Sequence, residues 1–122
     1  MATTYWKIVQ YLISKGKTET EARNLFDSGK VALVKYFDED VKVENWDVTG
    51  ITEPTTSELD TVDTEATKTY NNNRIRKTRK KAYGDIGEQL DLLYKDIVAD
   101  KLDTTGEWAK KIKAIKDANA KE

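Results

Sequence analysis

Only one block of this chain, VALVKYFDEDVKVENWDV over residues 31–48, alternates in the period of a strand; elsewhere the apolar residues recur at helical spacing. An isolated two-stranded hairpin is barely stable in water and must lie on a helix or pair with another chain. The expected fold is therefore α+β: N-terminal helices, a β-hairpin, a long helix and a C-terminal helical hairpin. In the first strand Leu33, Lys35 and Phe37 face one way, and Val34 and Tyr36 the other. In the second, Val41 and Val43 share a face, and Trp46 and Val48 share the opposite one. A bulge near Glu44-Asn45 would bring all four to one side. Asp38-Glu39-Asp40 supplies the polar turn.

Helix boundaries are written in cap residues. Thr3 or Thr4 opens TTYWKIVQYLISKG, whose Trp6, Val9, Leu12 and Ile13 form one face, and Gly16 closes it. Thr18 and Glu21 have the spacing of a capping box, ahead of Ala22, Leu25 and Phe26. Pro54, the only proline, ends the β region. From Ser57 to Lys81 one long helix is expected, its seam apolar at Leu59, Val62 and Ala66 and polar beyond, with Asn71-Asn72-Asn73 as a break or hinge. Asp85 caps the next helix, whose Ile86, Leu90, Leu93 and Ile97 form the strongest apolar stripe in the chain. Thr104 and Glu107 suggest a further capping box, before a matching stripe of Trp108, Ile112 and Ile115. This reading divides the chain into 1–54 (helix plus hairpin), 55–82 (connecting helix) and 83–122 (helical hairpin).

Composition excludes more than it proposes. The chain has neither cysteine nor histidine, so disulfides, thiolate chemistry and the commonest general base and metal ligand are absent together. A net charge of −1 gives no global field toward nucleic acid or membrane. No apolar run is long enough to span a bilayer, and no membrane partner is expected. No phosphate-cradling loop or nucleophile elbow occurs, and Asp38-Glu39-Asp40 lacks the alternating ligands of a calcium loop. No catalytic, metal or cofactor site is expected.

A resemblance goes further. Arg79, Tyr83, Gln89, Leu90, Asp91, Tyr94, Trp108, Ile112, Ile115, Lys116, Asp117, Ala118 and Asn119 match a C-terminal module of small proteins from tailed bacteriophages. In that module an aromatic-led helix follows a Gln-Leu-Asp helix; Gly84 and Ala120 stand where prolines are usual. The segment VENWDVTGITEPTTSELD resembles the XkdW-like group of phage tail proteins. The resemblance implies a non-enzymatic tail structural or tail-fibre-associated adaptor, located in the virion tail and made in the host cytoplasm. Its partners would be other tail or fibre proteins, or a further copy of itself. The alternatives are a tail assembly chaperone, or a small regulatory protein that binds nucleic acid.

The last alternative would use the basic run Arg74 to Lys81, which holds six cations and no anion. On a helix these charges surround the axis and form no single basic stripe, and no aromatic is interleaved for base stacking, so nucleic acid is the disfavoured partner. Cations also suit a helix C-terminus, where each contributes about 0.3–1 kcal/mol against the dipole. From Asp38 to Tyr70 ten acids stand against two bases, and that block could meet the run across a subunit contact. The expected interface residues are Trp46, Val48, Arg74, Arg76, Arg79 and Lys80.

Overall fold

Pro54 and the glycines at 16, 29 and 84 punctuate the computed structural model, which describes all of residues 1–122. The fold is α+β: α1 (Thr4–Ser14), α2 (Glu19–Asp27), β1 (Val31–Val34), β2 (Lys42–Trp46), α3 (Thr56–Thr61), α4 (Asp63–Tyr83), α5 (Ile86–Val98) and α6 (Glu107–Ala118). Contacts group these into two compact units, Met1–Tyr70 and Asn71–Glu122. The boundary falls inside α4, so the expected connecting helix of 55–82 is shared between them.

In the first unit Ile8, Val9, Leu12, Ala22 and Val31 form a fully enclosed core. α1 ends in a Schellman motif: Gly16, at φ +98°, donates to Ile13 O, and Lys17 donates to Leu12 O. The capping box expected of Thr18–Glu21 forms, and Thr55 and Glu58 form another ahead of α3. Thr3 occupies the N-cap of α1, but its side chain makes no cap bond.

The hairpin carries the anticipated bulge. Ala32 pairs with Asn45 and Leu33 with Val43, so Glu44 is the extra residue of β2. Leu33, Val43, Trp46 and Val48 accordingly pack on the core, while Val41 remains partly exposed. The first strand is shorter than its pattern suggests. It stops at Val34, because Phe37 adopts φ +44° in a turn closed by Glu39 N–H donating to Tyr36 O at 2.8 Å. A left-handed residue ends the pleat, so the alternation through Tyr36 and Phe37 has no sheet to serve.

The long helix expected over 57–81 is broken, but not at the asparagines. Val62, at φ −100° and ψ 2°, separates α3 from α4, and Asn71-Asn72-Asn73 are continuous helix. Local competition for the backbone explains the site. Thr61 Oγ1 donates to Glu58 O, Thr67 Oγ1 donates to Asp63 O, and the Asp63 carboxylate accepts from Ala2 N–H at 2.8 Å. The first turns of α4 close the core: Ala66 is fully buried, and Thr69 donates to the Gln10 side chain on α1.

In the second unit α5 and α6 form the expected helical hairpin. The rest of α4 turns Asn71, Ile75, Arg79 and Tyr83 inward at four-residue spacing. Asn72 meets the Glu122 backbone twice, accepting from its N–H at 2.9 Å and donating to its carbonyl at 3.3 Å. No helix is long and apolar enough to cross a membrane.

Candidate functional site

The chemistry of the second unit begins at Asp96. It is the only buried charged residue of the chain, and its carboxylate accepts from the backbone N–H groups of Glu107 (3.0 Å) and Trp108 (2.8 Å). A helix N-terminus leaves such donors without intrahelical partners and carries positive partial charge, so a carboxylate from α5 caps α6 from outside. The N-cap of α6 is Gly106, which offers no side chain. A Cβ there would lie 2.6 Å from Asp96 Oδ2 and 2.4 Å from the Lys101 carbonyl. The Thr104–Glu107 capping box expected from spacing is therefore replaced by a cap contributed from across the hairpin. Thr105 instead donates from its N–H and hydroxyl to Asp103, holding that exposed carboxyl below its ordinary range.

This cap orients α5. With Asp96 directed at α6, the face centred on Gln89, Leu92, Leu93 and Asp96 turns inward. At 100° per residue Ile86, Leu90, Tyr94 and Ile97 lie within about 80° of one another on another face. The stripe expected to pack on Trp108, Ile112 and Ile115 is consequently split. Leu93 joins the α6 contact, whereas Ile86, Leu90 and Ile97 face outward beside Tyr94 and Val98. These five side chains are exposed, from 52% for Ile97 to 69% for Val98. Five large apolar residues at such exposure present on the order of 600 Å², at the upper end of the largest patch of a typical monomer.

The interface residues expected from sequence are placed apart. Trp46 lies on the core side of the hairpin, its indole N–H donating to Ile51 O at 2.9 Å and its ring 6.3 Å from that of Tyr11. Val48 packs on the same core. Arg79 is turned into the second unit, where Nε donates to Asn119 O (2.8 Å) and Nη2 to Lys116 O (3.1 Å), meeting the carbonyl end of α6. Arg76 donates to Asn73 Oδ1 at 3.3 Å, and Arg74 and Lys80 are exposed on other sides of α4. The basic run thus includes one arginine that caps a neighbouring helix and cations distributed around the axis. Elsewhere Phe37, at 97% exposure, stands at the hairpin tip beside Asp38, Glu39 and Asp40. No group of three or more acids is placed to hold a metal ion.

Periodicity located the α5 residues correctly and assigned them to the wrong surroundings. The signal that separates the two cases is Asp96 within the helix, ten residues before a glycine with no cap of its own. Comparison of the chain with protein-family models, curated proteins and solved structures finds no match.

Proposed function

We propose that this chain is a non-enzymatic component of a bacteriophage tail, acting as a structural or fibre-associated adaptor through protein–protein contact. The observation that carries the contact part of this reading is the uncovered α5 face, Ile86, Leu90, Tyr94, Ile97 and Val98. An exposed apolar patch of this size on one element is a mark of an interaction surface. The assignment to a tail rests on the likeness of residues 79–119 and of residues 43–60 to small tail proteins. Leu90 and Tyr94 belong both to that likeness and to the exposed face. Arg79, Trp108 and Asn119 belong to it as residues that hold the second unit together.

Mass spectrometry of purified particles of the source phage tests the reading. The chain is expected among the virion proteins in stoichiometric amount. Its absence from particles, together with an assembly defect when its gene is deleted, would transfer the reading to an assembly chaperone.

A further inference from the structure

We infer that the α5 face is occupied by the same face of a second copy of this chain, the two helices running antiparallel about a two-fold axis beside Tyr94. The inference rests on the contact reading above and names its partner. Area is the first argument. A face of on the order of 600 Å² per copy buries up to about 1,200 Å² in a symmetric pair, which reaches the range of specific, stable interfaces.

Self-complementarity is the second. With the axis beside Tyr94, the two Tyr94 rings are neighbours and Leu90 of one copy lies opposite Ile97 of the other. The centre of the face thus meets apolar with apolar in an isologous contact. The flank agrees. Asp91 and Lys95 form an exposed ion pair at 3.2 Å along one edge of the face. The two-fold places Asp91 of each copy at the height of Lys95 of the other, which makes a closed ring of four alternating charges. A parallel pairing, whose two-fold runs along the helices, would put this edge on opposite sides of the contact and leave the ring unformed.

Net charge distinguishes this arrangement from an ionic one. The unit Met1–Tyr70 has thirteen acids and eight bases, and Asn71–Glu122 has nine acids and thirteen bases, so their net charges are −5 and +4. Joining two second units brings like net charges together, and added salt screens that repulsion. A head-to-tail contact between the acidic unit of one copy and the basic unit of another would instead weaken with salt.

Sedimentation equilibrium of the full chain tests the inference, with circular dichroism as the check on folding. The expected mass is twice that of the chain at micromolar concentration, maintained or tightened by added salt. Leu90→Glu with Ile97→Glu should halve the mass and leave the helical signal unchanged, since both side chains are exposed. Because the chain has no cysteine, orientation is read directly. Tyr94→Cys should give an intermolecular disulfide on mild oxidation. Leu90→Cys should give one only when combined with Ile97→Cys. Self-crosslinking of Leu90→Cys alone would overturn the antiparallel arrangement. A chain that stays monomeric, or a dimer that survives the double glutamate variant and dissociates with salt, would overturn the inference altogether. These outcomes are separable from the tail reading: a monomer found in virions leaves that reading standing, and a dimer absent from virions removes it.

Discussion

Two buried polar atoms of very different chemistry govern this chain at the scale of the residue. Asp96 gives up its hydration to satisfy two N–H groups at the start of α6, and Gly106 is the only residue type that leaves room for it. Asp96→Ala is expected to cost about 2 kcal/mol, combining a lost cap with uncovered backbone donors. Gly106→Ala should cost at least as much, because its methyl group would meet backbone as well as carboxylate. Chemical denaturation followed by tryptophan emission measures both, with Trp108 adjacent to the change. Tyr11 is the second case. Its hydroxyl donates to Thr52 O at 2.9 Å, and burial, then the Glu58 carboxylate, push its phenol up from the ordinary 10.0. A raised folded value means that this contribution is complete below pH 10 and is lost as pH climbs through the folded value. Tyr11→Phe should therefore cost about 1 kcal/mol at neutral pH and flatten the alkaline fall in stability, as urea titrations at neutral and alkaline pH would show.

At the scale of the element, the same device closes two helices with different residues. α1 ends in a Schellman motif with Gly16 in the left-handed position. α5 ends in the equivalent motif, Lys101 N–H donating to Asp96 O at 2.8 Å and Asp100 N–H to Ile97 O, with Asp100 at φ +57°. Glycine adopts that conformation without the steric cost that a side chain brings, so Asp100→Gly should raise stability by roughly 0.5–1 kcal/mol, measured as an increase in Tm. The contrast also explains what was legible. The end of α1 could be read from its glycine, whereas α5 ends at an aspartate that carries no comparable signal. The division at Val62 was hidden for a related reason, since Thr61, Asp63 and Thr67 each also occur inside helices. Only their simultaneous hydrogen bonds to Glu58, Ala2 and Asp63 mark the break.

For the whole molecule, a self-paired α5 face has a signature that no single residue reports. A chain whose apolar face is covered by a second copy unfolds at a temperature that rises with protein concentration, whereas a monomer's does not. The α+β class, the hairpin with its bulge at Glu44, the Thr18–Glu21 capping box and the C-terminal helical hairpin were determined by sequence alone. Each depends on spacing along a single element or on a cap within four residues of it. Which way α5 faces, where α4 changes from one unit to the other, and what Arg79 and Trp46 touch were decided only by tertiary structure. Periodicity defines an apolar face but not the direction in which it points. That direction was set by Asp96, whose carboxylate had to reach the uncapped N–H groups of a helix that begins eleven residues further along the chain.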